Sequence, residues 1–443
     1  MQNQGIRDAR SLGTPKLLVL GLQHMFAMFG ATVLVPALTG LSVSATLLFA
    51  GLGTLFFHFL TKGKVPAFLG SSFAYLAGYA AIAPNGEAAL LPYACVGVAA
   101  SGLLYLLLAA LVRGFGANRV MRFFPPVVTG PIIICIGMTL ANSAINNCTG
   151  SWDIALVAIL TVVIFNIWGK GMLRIIPILL GVLVSYVYAA VTGRVDFSGV
   201  ASAAWIGLPV KMENTVFSLI GNCDANLLVT AIIAIMPIAF ATMIEHIGDI
   251  CAISSTVGAN FIADPGLHRT LLGDGLATSI ASLFGAPANT TYGENTGVLA
   301  LTRVYDPLVI RLAAVYAIIA SFCPKFAALV SAMPTGTIGG VSLILYGMIS
   351  AIGVRNLVEN RVDLAKSRNV IVVSLIISLA LGITFSTAGA ITFHVGEFTL
   401  NFSGLAVAAI VGIVVNAILP GKDYNFQNDY EYGKTTEDHG QML

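Results

Sequence analysis

The sequence predicts an all-α polytopic membrane protein, and three observations lead there. Of its 443 residues, 57% are hydrophobic and only 9% charged, whereas soluble domains carry roughly a quarter charged residues. Apolar stretches of the length a bilayer demands recur from one end of the chain to the other. The basic residues, finally, sort to one side of those stretches.

In order, the apolar runs fall at 17–38, 45–60, 73–83, 89–112, 127–144, 154–168 and 175–191, then at 227–250, 271–284, 297–301, 308–322, 338–352, 370–387 and 405–419. This reads as about fourteen spans, two of them short or broken. Placing the N-terminus in the cytoplasm puts 18 of the 22 basic residues on the inner side, among them Arg7, Lys62, Arg113, Arg122 and Arg303. Only Arg194, Lys211 and Lys325 fall outside, and Arg311 lies near the inner end of a span. An even count with both termini cytoplasmic satisfies the positive-inside rule; an odd count spoils the alternation.

The first apolar run is too long for the core of a signal peptide, contains "GLQH" and lacks a small-x-small exit, so no cleavable signal is expected. The six cysteines have no metal-like spacing and most lie within spans; they read as small apolar residues, without a disulfide framework. No metal or cofactor is expected. The net charge of +2 reflects residues spent on orientation, which gives nucleic-acid binding no support.

The longest polar-leaning outer connection, 192–226, divides the spans seven and seven. An odd-numbered half repeated once is inverted in the membrane, the usual ground plan of secondary transporters. Residues 17–191 then form one repeat and 226–419 the other within a single membrane domain, followed by a polar cytoplasmic tail at 420–443. The third span of each half opens on a Gly- and hydroxyl-rich stretch, "PAFLGSSFAY" (66–75) and "GAPANTTYGENTG" (285–297). Such a pair of interrupted segments at matching positions points to a midplane binding site, because broken backbone there is tolerated only in a cavity or inside protein. The charged segment 353–369 reads as a solvated inner loop.

Three acids stand out. Glu245 and Asp249, in "IEHIGDI", share a helix face by their i,i+4 spacing. Glu294 follows the second broken stretch, nine residues before Arg303, which is about 13 Å along a helix and places it near mid-depth. A charge at mid-membrane costs roughly 2.5–3.5 kcal/mol or more, so such acids read as functional groups facing the interior. Desolvation favours the protonated carboxyl, the chemistry a proton-coupled carrier needs. Asp249 has a second reading, in which it reaches the inner headgroups. His246 points about 100° away from Glu245, toward a neighbouring helix. His24, inside the first span, needs a polar partner, and structural hydrogen bonding and a role at the site both fit. If both short helices start near mid-membrane, N–H groups at Gly293 and around Phe73 face each other across a cavity. Donors from two helix starts and acceptors from two carboxylates suit a flat ligand with alternating C=O and N–H edges.

The stretches "GLQHMFAMFGATVLVPALTGL", "GKVPAFLGSSFAY", "DPGLHRTLLGDGLATSIASLFGAPANTTYGENTGVLALTRVY" and "GGVSLILYGMIS" resemble the nucleobase–ascorbate transporter family, also called nucleobase–cation symporter family 2. The resemblance runs from about residue 17 to residue 419, and its diagnostic stretch is Glu294-Asn295-Thr296-Gly297 through Thr302-Arg303. It implies two inverted repeats of seven spans in a bacterial inner membrane, with spans 1–4 and 8–11 as a core domain and the others as a gate domain that can dimerise. It also implies proton-coupled import of a nucleobase by alternating access. The implied substrate residues are Glu245, Glu294, Phe73 and Gly293, with Ser72, Tyr292 and Tyr346 beside the site. Glutamate at 294, where purine carriers of the family usually have glutamine, favours uracil over xanthine or urate. Asp249 stands where a well-known relative has a histidine tied to proton coupling, so Asp249, Glu245 and His24 are the candidates for the coupled proton. An anion exchanger of the same fold would want a positive site, against which the three acids argue. A membrane enzyme would need a nucleophile–base pair or metal cluster, and the sequence shows neither at plausible spacing.

Overall fold

The computed structural model describes residues 5–395 and 398–421; the side chains of Met172, Ile175, Glu294, Leu301 and residues 394–401 fall outside the described set, as does the expected tail from 422 onward. The first half contains α1 (Thr14–Thr39), α2 (Val43–Leu60), β1 (Leu69–Ser71), α3 (Leu76–Ile82), α4 (Leu91–Phe115), α5 (Ala117–Met121), α6 (Pro126–Cys148), α7 (Trp152–Trp168), α8 (Met172–Ile175) and α9 (Pro177–Val191). The second contains α10 (Ser198–Ser202), α11 (Ala225–Ile235), α12 (Ala239–Val257), α13 (Leu267–Leu283), β2 (Asn289–Thr291), α14 (Gly293–Thr302), α15 (Pro307–Ser321), α16 (Pro324–Ser331), α17 (Thr335–Glu359) and α18 (Ser367–Thr384), then β3 (Ala390–Val395), β4 (Phe398–Ser403) and α19 (Gly404–Ile418).

Seven apolar helical stretches among the described residues are long enough to cross a bilayer, and α15 with α16 makes an eighth, bent by 88°. Their ends carry ordinary stop and start chemistry. Gly40 terminates α1 in the left-handed region, and Ser42 caps α2 by accepting from Ala45 N. Asp306 caps α15 by accepting from Leu308 N. The run read as 227–250 is longer and broken: Pro237 sits in a 3₁₀ turn (Met236–Ile238) that separates α11 from α12.

The helices pack as two sets. In one, α6 lies against α17 and α18, while α7 lies against α9 and α17. Small residues set the α6–α17 approach: a Cβ on Gly353 would stand 2.6 Å from Gly130 O. In the other set, α2 packs on α13 and α15, and α4 packs on α11 and α13. The connection after α9 folds back onto the α15–α16 turn, where Gly207 N donates to Phe322 O at 3.0 Å. At the opposite end, Lys64 pairs with Asp264 and holds that exposed carboxyl below its ordinary range. The β3–β4 hairpin packs against α11 and was not expected from the sequence.

Candidate binding site at the two broken helices

The antiparallel pairing of β1 with β2 sets Leu69 opposite Thr291, Gly70 opposite Thr290 and Ser71 opposite Asn289. Backbone at this depth must find its partners within the protein. Thr54 of α2 accepts from Leu69 N at 2.9 Å and donates to Leu69 O at 3.3 Å. Asn289 Nδ2 donates to Phe49 O at 2.7 Å, and Thr278 of α13 donates to Asn289 O at 3.0 Å. Tyr292 locks the crossing: its hydroxyl donates to Ser71 O at 2.8 Å and lies 3.1 Å from Ser71 Oγ. The approach is close enough to require glycine at 70, where a Cβ would stand 2.6 Å from the Tyr292 ring and 2.9 Å from Thr32 Oγ1.

From this crossing the chain leaves as two short helices. Phe73 opens a 3₁₀ turn (Phe73–Tyr75) that continues into α3, and Gly293 opens α14 behind Tyr292. The two starts are neighbours because the strands before them are paired. Gly293 lies open, and the Asp249 carboxylate is 3.2 Å from where its Cβ would be. Phe73 is buried, and its ring meets Tyr346 of α17 edge-on at a centroid distance of 6.1 Å. The Tyr346 hydroxyl is buried and has no hydrogen-bond partner among the described residues. Ser72 is also buried, and its N–H donates to Ala288 O.

Helix α12 supplies two acids, Glu245 and Asp249, both partly buried and one turn apart. Asp249 is tied to the strand crossing rather than standing among headgroups, because its Oδ2 accepts from Thr291 Oγ1 at 3.0 Å. Thr291 is a junction. His246 Nδ1 lies 3.2 Å from the same hydroxyl and 3.5 Å from Asp274 Oδ2, while Thr291 N donates to Asp274 Oδ1 at 2.9 Å. With the hydroxyl proton given to Asp249, the polarity requires the ring proton on Nδ1. Asp274 and the His246 side chain are fully buried.

Glu294 occupies the first turn of α14, and its side chain lies outside the described residues. His24 of α1 stands beside the next residue, with Asn295 Nδ2 3.4 Å from its Nδ1. The structure therefore gathers Phe73, Gly293, Tyr292 and Asp249 around one crossing, with Tyr346 facing it from α17 and Glu245 one turn before Asp249 on α12. It adds Asp274, His246 and Thr291, which the sequence reading passed over or set aside. Asp274 carried a signal, since it is an acid between Gly273 and Gly275 inside an apolar run. Among the described residues no His, Cys, Asp and Glu cluster could hold a metal ion.

A sequence model described as the permease family matches residues 15–389. The uracil permease of Bacillus caldolyticus is 42% identical over 437 residues, covering 96% of each chain. That of Bacillus subtilis (strain 168) is 40% identical over 453 aligned positions, covering 99% of this chain and 98% of the relative. This chain belongs to the nucleobase–ascorbate transporter family. Among solved structures, the transmembrane domain of the cyanobacterial bicarbonate transporter BicA matches with a TM-score of 0.59 at 14% identity, covering 93% of this chain and 98% of that one. SLC26A9 matches with a TM-score of 0.62 at 12% identity, covering 92% of this chain and 66% of that one. Those likenesses show the fold. In this nucleobase–ascorbate transporter, the two helix starts lie together without side-chain caps, and that of α14 opens beside Asp249 of α12.

Proposed function

We propose that the protein imports uracil together with a proton. The observation that supports this is the β1–β2 pairing, which puts the Phe73 and Gly293 helix starts side by side, with Asp249 against Gly293 and Glu245 one turn away on the same helix. The Phe73 and Gly293 amides would donate to the two uracil carbonyls, while Glu245 and Glu294 accept from its N–H groups. Asp249 would exchange the proton, with Thr291 linking it to His246 and Asp274. The Tyr346 hydroxyl would close the pocket from α17. Relatives named as uracil permeases at 42% and 40% identity support this substrate over a purine.

Access would alternate as a core of spans 1–4 and 8–11 moves against a gate made by the rest. The order of helices and the symmetric placement of β1 and β2 support fourteen spans in two inverted repeats. Both termini would then be cytoplasmic in a bacterial inner membrane, with a homodimer formed through the gate. The carrier would be driven by the proton gradient, without cofactor or covalent chemistry. Uracil binding to the purified protein, measured by calorimetry, tests the site. Wild type should bind uracil and ignore xanthine, and Glu245→Gln should weaken uracil at least tenfold, since a carboxylate hydrogen bond contributes about 1.5–3 kcal/mol. Equal binding by Glu245→Gln overturns the assignment.

A further inference from the structure

Helices α4, α5, α12 and α19 leave between them a groove of about 460 Å³. Leu107, Leu111, Phe123, Phe240, Met243 and Ile413 line it, and Arg119 is the one charged residue in the lining. Leu107 and Phe123 are 56% and 50% exposed, so the groove opens sideways rather than into the substrate site. Two further arginines meet Asn416 of α19 near this end. Arg122 follows Arg119 by three residues, and its carbonyl lies 3.5 Å from Asn416 Nδ2, just beyond Ile413 on α19. Arg368 donates to Asn416 Oδ1 at 2.6 Å and to its carbonyl at 3.0 Å. Among the described residues, none of Arg119, Arg122 and Arg368 forms an ion pair.

An apolar trough that opens sideways, with Arg119 in its lining and Arg122 three residues on, has the chemistry to hold an anionic amphiphile. We infer that this groove binds one acidic phospholipid, with an acyl chain lying along α4 and α12 and its phosphate held by Arg119 and Arg122. The planar guanidinium matches a phosphate with paired N–H donors, which a zwitterionic headgroup satisfies without net charge gain. Arg119 and Arg122 each add to the attraction of an acidic headgroup, so the groove should favour an acidic lipid at least fivefold. The groove lies between α4 and α12 on one side and Ile413 of α19 on the other. A lipid seated there touches both sides and, under alternating access, would resist their separation. That consequence rests on the alternating-access reading above, while the binding site does not.

Native mass spectrometry of the full-length protein, delipidated and then given phosphatidylglycerol or phosphatidylcholine, tests it. The wild type should retain one more phosphatidylglycerol than phosphatidylcholine. The double variant Arg119→Gln/Arg122→Gln should lose that preference at least fivefold, and Arg119→Lys should keep most of it. Leu107→Trp, which fills the trough and leaves every arginine in place, should also displace the lipid. Equal retention of the two lipids by the wild type overturns the proposal without reference to any variant. Undiminished retention by Leu107→Trp overturns the placement of the chain. Uracil binding in the same samples should stay at wild-type level, and its loss with lipid retained would count against the carrier reading instead.

Discussion

Gly70→Ala is the substitution whose effect the geometry fixes most tightly. The new methyl carbon would stand 2.6 Å from two atoms of the Tyr292 ring and 2.9 Å from Thr32 Oγ1. To reach an ordinary contact of about 3.4 Å the ring must retreat by about 0.8 Å, and Thr32 lies on a packed helix that offers little room. The retreat pulls the Tyr292 hydroxyl off Ser71 O, a bond of 2.8 Å. Overpacking of this kind costs about 1–3 kcal/mol of stability. The larger effect falls on function, because Tyr292 immediately precedes Gly293, whose N–H opens α14. A displacement near 1 Å in a positioned group can cost about 100-fold. The assay is uracil affinity of the purified protein, with melting temperature followed in parallel. Gly297→Ala on the same helix supplies the control, since its methyl would meet nothing within 4 Å among the described residues and should leave affinity unchanged. Gly70→Ala binding within threefold of wild type would refute the claim that this crossing positions the ligand.

Further outcomes follow from the same geometry. Thr291→Val keeps the β-branched shape and the N–H bond to Asp274 but removes the hydroxyl between Asp249 and His246. Loss of a bond to a charged acceptor, about 1.5–3 kcal/mol, should lower proton-driven uptake roughly 10–100-fold, and Thr291→Ser should restore most of it. Asp274→Asn retains an acceptor for Thr291 N while losing the charge facing His246, so uracil binding should persist within about threefold as proton-driven accumulation fails; the two are measured side by side. Tyr346→Phe deletes a buried hydroxyl with no hydrogen-bond partner among the described residues, so the melting temperature should hold or rise while uracil affinity falls about tenfold.

Hydropathy made the long helices legible because α1, α2, α4, α6, α17 and α18 each carry an apolar window of span length. The broken segments were legible for the opposite reason, as glycine and hydroxyl clusters where continuous helix was due. Their partnership was not, since the pairing of Gly70 with Thr290 joins residues 220 positions apart and leaves no local mark. Helix α14 begins four residues before the expected 297, because "GENT" has no apolar signal even though its N–H groups do the binding work proposed here. The α11–α12 break hid inside an unbroken apolar run, and only Pro237 betrays it. Strands β3 and β4 escaped because a short alternating hairpin next to a span reads as loop. At the site, Glu245 and Asp249 were found by their cost in a membrane, and Asp274 obeys the same rule but was not weighed. Thr291 offered nothing to find: a threonine becomes a junction only once folding sets two acids and a histidine around it.

Uptake of radiolabelled uracil into proteoliposomes under an inward proton gradient tests the central claim most directly. The account predicts accumulation that a protonophore abolishes and excess xanthine leaves untouched. Accumulation indifferent to the protonophore, or blocked by xanthine, would contradict it.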